Sequence, residues 1–250
     1  MNFVSIQPFR GLCNQLGAIC WAVAVAKARK LDGVRIDGMV TDAEDPTSVR
    51  VPAHTFLDLD ASSESLGIRL VATLPPDAKV VVNLGRCKYD RGNLQHYIAS
   101  LVFSKTIHAE ASSFIHKPYS AVHLRIESDM LKHLQKVLRW KGNIYETLIE
   151  SYRKALESLP KDQPLFVASN FGKTRKTAGR PIPATKGFTK IVQTPSPNLK
   201  AKNRDLRAAV DFLICVEAEV FVGAPFSTFS QGVAHVRKAR AKPTCWIEAS

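Results

Sequence analysis

The chain has 250 residues, with 35 lysines and arginines against 22 aspartates and glutamates, a net charge of +13. Hydrophobic residues make up 45% and charged residues 23%, a globular composition that excludes disorder, and no apolar run reaches the ~20 residues that a bilayer crossing takes. The absence of a fixed-period repeat excludes collagen, coiled coil and solenoid. In chain order, Asn2–Gln7 reads as a short strand and Pro8–Leu12 as a turn. The Ala-rich stretch from Cys13 to about Lys30 reads as a buried helix, capped by Asn14 or a neighbour. Strand, tight glycine turn and buried helix open a Rossmann-like unit and aim helix amides at the turn, ready for an anion.

Residues 34–60 read as irregular and polar. Leu66–Leu74 and Val80–Gly85 are predicted strands and 93–104 a predicted helix. The pattern lapses over 105–118, the expected domain boundary. Tyr119–Ile126 then reads as a strand, and 143–158 as a helix with Ile144, Leu148, Ile149, Tyr152 and Leu156 at helical spacing. Pro164–Ala168, Thr189–Gln193, Glu219–Gly223 and 243–247 are further predicted strands. Helices are predicted over 204–217, with Leu206, Val210, Leu213, Ile214 and Val216 on its apolar side, and over Ser227–Ala239. Strands alternating with helices predict an α/β protein with parallel, doubly wound sheets. Residues 1–112 and 113–250 would form two units, with a site in the cleft between them.

Three segments carry chemistry. In Arg10-Gly11-Leu12-Cys13-Asn14-Gln15, Gly11 permits close backbone approach, Asn14 and Gln15 give and accept hydrogen bonds, and Arg10 offers a planar fork. The plainer reading is a turn with a helix cap. In His123-Leu124-Arg125-Ile126-Glu127-Ser128-Asp129, alternation puts His123, Arg125 and Glu127 on one face if the strand runs that far. An arginine at the C-terminal end of a parallel strand can stabilise charge on a leaving pyrophosphate, or simply pair with Glu127 or Asp129. In Ala224–Ser230, Ser227 or Thr228 would sit at a helix start, a phosphate cradle by geometry or a simple hydroxyl cap.

Asp58-Leu59-Asp60 has the spacing of a divalent-metal pair, but no further ligands lie nearby and no metal is expected. The five cysteines lack CxxC spacing and read as reduced thiols of a cytoplasmic protein. Basic residues gather in 173–207 (Lys173, Arg175, Lys176, Arg180, Lys186, Lys190, Lys200, Lys202, Arg204, Arg207) and in 236–242, which favours anionic partners.

Taken together, the segments resemble the GDP-fucose protein O-fucosyltransferase superfamily, most closely its plant-type branch. Gly11–Gln15 through Ala18-Ile19-Cys20-Trp21 and Val23–Ala26 is similar to the first family motif, with Cys13 as an insertion. Phe56–Asp60 resembles the Phe-Asp-Val-Asp segment, His123–Met130 the His-Leu-Arg motif, and Ala209–Ile214 with Phe221–Gly223 and Ser227–Phe229 the third motif. The resemblance implies a compact GT-B-like fold and inverting, metal-independent transfer from a nucleotide sugar, with no cofactor beyond the donor GDP-fucose. It implies Arg125 as the catalytic group on the departing diphosphate, Asn14 near the sugar, His123 and Asp211 on the nucleoside, and Ser227, Thr228 and Phe229 on the pyrophosphate. Arg10, Gly11, Leu12 and Cys13 complete the expected donor site, and Glu127 is the base candidate by position. The expected partners are that donor and a glycan or protein acceptor, without a membrane span and without nucleic acid. UDP-rhamnose is the alternative donor. A non-catalytic glycan-binding module, or a polyanion binder using the basic segments, is the reading from another class.

Overall fold

The computed structural model describes residues 1–40, 50–86, 95–114, 118–136, 139–169, 183–193 and 204–248. Strand β1 (Asn2–Ile6) and helix α1 (Leu12–Ala28) stand where the sequence places them. β2 (Gly33–Ile36) follows inside the segment expected to be irregular. Four residues are too few to show a period, yet β2 pairs in parallel with β1, Val34 opposite Val4 and Ile36 opposite Ile6. Gly33 makes this possible: a Cβ there would lie 2.5 Å from the Arg69 carbonyl oxygen and 2.5 Å from a ring carbon of Phe3. β3 (Met39–Val40) and β4 (Arg50–Val51) form a separate antiparallel pair.

Helix α2 (Leu59–Leu66) begins at the end of the stretch expected to be irregular and runs to the first residue of the strand expected over Leu66–Leu74. Asp58 is its N-cap, accepting a hydrogen bond from the Ala61 amide at 3.0 Å, so the first aspartate of Asp58-Leu59-Asp60 has a capping role. β5 (Arg69–Val71) and β6 (Lys79–Asn83) complete a parallel sheet in the order β5-β2-β1-β6. Within the helix expected over 93–104, residues 95–97 are α-helical and 98–100 form a 3-10 turn, and α3 (Lys105–Phe114) follows where no pattern is predicted. α3 buries only Ile107, too little apolar signal for a period to register.

β7 (Ser120–Leu124) is buried along its whole length, as befits the central strand of a parallel sheet. It is followed by α4 (Ser128–Lys136), which the sequence reading lacked, and by α5 (Ile144–Glu157). β8 (Leu165–Ser169), β9 (Ile191–Val192), α6 (Arg204–Glu217), β10 (Val220–Gly223), α7 (Thr228–Ala239) and β11 (Thr244–Trp246) complete the series. The second sheet is parallel throughout, in the order β11-β10-β7-β8-β9. Its core joins Val122 and Leu124 of β7 to Leu148 and Tyr152 of α5, Val167 of β8 and Val222 of β10. α6 is more than amphipathic: Asp205 and Asp211 are buried in it along with Val210, Phe212 and Ile214.

The chain divides into two compact units, Met1–Phe114 with Pro197–Leu213, and Ile115–Ser196 with Ile214–Ser250. The stretch Pro197–Leu213, assigned by the sequence reading to 113–250, therefore groups with the first unit. Among the described residues no helix is long and apolar enough to cross a membrane.

Candidate active site

In the second unit the site grows from the ends of β7 and β10. β7 pairs with β10 as far as Val122 and with β8 as far as Leu124, so the strand stops one residue before Arg125 rather than running to Ile126. From there the backbone is held by a side chain. The Tyr152 hydroxyl donates to the His123 carbonyl at 2.9 Å and accepts from the Arg125 amide at 3.0 Å. The strand does not run on to Glu127, where the backbone bends, and the Glu127 carboxylate lies 3.3 Å from Arg125 Nε, the pairing that the sequence offered as the alternative. Both side chains are largely buried, so the pair is screened less than one on the surface.

His123 is buried, with Nδ1 2.8 Å from Ser230 Oγ and its ring 4.4 Å from that of Phe229. Ser230 Oγ also accepts from the Ala224 amide at 3.1 Å, so one hydroxyl ties the loop after β10 to the end of β7. The segment Ala224–Ser230 includes Ser230 but the sequence assigns it no role; in the structure a Cβ on Gly223 would lie 3.0 Å from Ser230 Cβ, so the glycine gives this serine room. Ser227 is buried at the N-cap of α7 and its side chain makes no cap hydrogen bond, while Thr228 opens the helix. A helix start of this kind directs its first amides outward, the geometry in which helix N-termini meet anions.

Burial, and after it the Arg125 guanidinium, hold the His123 imidazole well below its ordinary pKa of 6.5. His123 is therefore neutral at pH 7, a hydrogen-bonding ring rather than a cation. Because the unfolded chain binds this proton more readily, the stability it confers is complete above about pH 6.5 and is lost as the pH falls below that value. A pH series of chemical denaturation should show a loss of up to about 1.4 kcal/mol per pH unit below pH 6.5, reduced in His123→Gln; equal slopes in the two proteins would refute the assignment.

In the first unit, the start of α1 departs from expectation. Gly11 is the N-cap, without a side-chain bond. The Leu12 amide instead donates to the buried Asp205 carboxylate at 3.0 Å. An internal anion thus occupies the helix N-terminus that the sequence reading left open for a ligand. Leu12 and Cys13 turn into the core, and burial pushes the Cys13 thiol far above its usual range, with Asp205 adding to the effect. Gln15 pairs its amide with the backbone of Val40, donating at 2.9 Å and accepting at 2.8 Å, and so is structural. Arg10 is exposed at φ 70°, a left-handed conformation uncommon for a side-chain-bearing residue. Asn14 is half-buried at the first turn of α1. Asp211, on α6, is 6% exposed and belongs to the first unit.

The 236–242 basic segment also has an internal use: Arg237, Arg240 and Lys242 all bond to the C-terminal end of α6 or the residues just after it. Of the 173–207 segment, Lys186 and Lys190 are exposed and Arg204 and Arg207 half-buried, whereas Lys173, Arg175, Lys176, Arg180, Lys200 and Lys202 lie outside the described residues. Cys13, Cys20, Cys215 and Cys245 are thiols, and Cys87 is outside the described residues.

The family model of GDP-fucose protein O-fucosyltransferase matches residues 54–240, well over half of the chain. The chain belongs to this fucosyltransferase family. A search of curated proteins by sequence finds no match. Among solved structures, POFUT1 in complex with GDP is similar at a TM-score of 0.70 and 15% identity, over 99% of this chain and 98% of that one. The fucosyltransferase NodZ from Bradyrhizobium is similar at 0.58 and 12% identity, over 93% and 92%. At these identities the likeness is one of fold, and with the two parallel sheets it establishes the expected GT-B-like α/β class. As a member of this family the chain is a glycosyltransferase. The matched range takes in Asp58, His123, Arg125, Asp211 and Ser227–Phe229, while Arg10–Asn14 precede it.

Proposed function

We propose that this fucosyltransferase-family protein transfers fucose from GDP-fucose to a hydroxyl of a glycan or protein, with inversion at the anomeric carbon and without a metal ion. The observation that carries the proposal is Arg125: a guanidinium at the C-terminal edge of a parallel sheet, beside the Glu127 carboxylate, in the unit that also carries the N-terminus of α7. The family match supports the donor, and POFUT1 and NodZ structures have been solved with GDP-fucose. Donor binding is assigned to the second unit and acceptor recognition to the first.

In the proposed reaction the acceptor oxygen bonds to the anomeric carbon as the bond from that carbon to the β-phosphate oxygen breaks. The electron pair leaves with GDP. Charge builds on the departing oxygen in the transition state, and the Arg125 fork stabilises it there more than in the bound donor. Ser227, Thr228 and Phe229 at the start of α7 hold the pyrophosphate, and His123 the nucleoside. Glu127 orients the guanidinium, and the hydroxyl proton passes to a phosphate oxygen of the departing GDP. Arg125 supplies the positive charge that a divalent metal provides in other transferases; the engagement of Asp58 as the cap of α2 supports this. The thiol state of Cys13, Cys20, Cys215 and Cys245 supports a reducing, cytoplasmic setting.

The test is a thermal-shift panel of GDP, GDP-fucose, UDP and UDP-rhamnose, followed by assay of GDP release. GDP and GDP-fucose should raise the melting temperature, with about 2.7 kcal/mol of added stability at a hundredfold excess over Kd. A response to the uridine ligands alone would replace the donor, and no response to any of the four would remove the enzymatic reading.

A further inference from the structure

The end of β7 is unusual in how its backbone is held. His123 and Arg125, two of the residues on which the proposed chemistry depends, flank Leu124, the last residue of the strand. Pairing with β10 has already stopped at Val122. The carbonyl of His123 and the amide of Arg125 both meet one atom, the hydroxyl oxygen of Tyr152, at 2.9 and 3.0 Å. Tyr152 comes from α5, is fully buried, and has its ring packed in the core of the second unit. Its hydroxyl uses its proton on one backbone group and a lone pair on the other, which is what a neighbouring strand would otherwise have supplied.

We infer that Tyr152 is a positioning residue for Arg125, setting through the backbone the direction in which that side chain leaves the strand, while Glu127 sets the orientation of its guanidinium. The inference rests on the proposed role of Arg125 toward a nucleoside diphosphate. Such a group acts only when held within about half an ångström of its productive place, and a support rooted in a core helix holds it better than a free loop. Burial keeps the phenol protonated, with its pKa raised beyond the usual value, so the donor half of the clamp persists across the working pH range.

The test uses Tyr152→Phe, which keeps the ring and removes only the hydroxyl. GDP affinity is measured by calorimetry in four proteins: the parent, Tyr152→Phe, Arg125→Ala and the double variant. Tyr152→Phe should weaken GDP binding by roughly tenfold to a hundredfold in the parent background and have no further effect once Arg125 is alanine. An equal loss in both backgrounds would show general structural damage, and no loss in the parent would show that the hydroxyl is idle; either overturns the inference. Parent protein that binds no GDP would instead overturn the reading of the site itself. A second measurement is independent of any ligand and of whether the variant folds. In the parent protein the Arg125 amide should exchange with deuterium as slowly as the amides of Ala121 and Val122, and exchange at the rate of an open loop would also overturn the clamp.

Discussion

Arg125→Ala should lower the turnover of GDP-fucose by about 10²–10³-fold, the loss typical of removing one preorganised group from developing negative charge. The argument is one of geometry. Arg125 follows the central strand of its sheet, is largely buried, and has its Nε 3.3 Å from the Glu127 carboxylate. A guanidinium already oriented there needs no reorganisation as the phosphate oxygen gains charge. Arg125→Lys should recover only a small part of the rate, because a lysine keeps the charge but loses the planar fork that meets two oxygens at once. Glu127→Gln gives the matching control: if Glu127 orients rather than abstracts a proton, the pH–rate profile keeps its shape while the rate falls by roughly tenfold. Release of GDP from GDP-fucose is the measurement. Undiminished turnover in Arg125→Ala would end the assigned role.

The largest loss of stability should come from an arginine of another kind. Arg237 is fully buried on α7, and every bond it makes is to a backbone carbonyl. It donates to Cys215 at 3.1 Å, Val216 at 3.0 Å, Ala218 at 2.7 Å and Glu219 at 3.0 Å. Nε donates to the Pro243 carbonyl at 3.0 Å, and Nη2 donates to the same oxygen. α6 ends at Glu217, so the carbonyls of Cys215 and Val216 belong to its last turn, which cannot satisfy itself, and a cation there also meets the negative end of the helix dipole. Arg237→Met keeps most of the volume but strands these carbonyls, and should cost about 3–5 kcal/mol in chemical denaturation. A cost below about 1 kcal/mol would mean that water replaces the guanidinium without penalty. Arg237→Lys should fall between, since one ammonium cannot reach every carbonyl.

What the sequence revealed and what it hid divides along the range of the interactions. That His123 and Arg125 stand at a strand end and Ser227–Phe229 at a helix start was legible, because local patterning locates such ends. The true end of β7 was not legible, because it is decided by a hydroxyl 27 residues away in Tyr152, which the helical spacing marked only as core. β2 was hidden for the opposite reason: Gly33–Ile36 is shorter than any window in which alternation can be told from chance. The basic residues of 236–242 were read as a surface for anions, since a count of charges cannot distinguish an exposed lysine from Arg237, whose whole fork faces carbonyls. Asp205 and the start of α1 were beyond any local pattern, as 193 residues separate the carboxylate from the amide it caps.

That last separation bears on how the protein is made. Synthesis runs from the N-terminus, and α1 emerges with its first sheet long before Asp205 exists to cap it. At about 5–20 residues per second, the ribosome takes roughly 10–40 s to cover the 193 residues between them. Phe212, whose ring stands 5.5 Å from that of Phe103, is still later. The N-terminal half of the nascent chain therefore waits, incomplete, until the growing polypeptide delivers its missing helix, and the order of translation ensures that neither unit is finished before the other has largely been made.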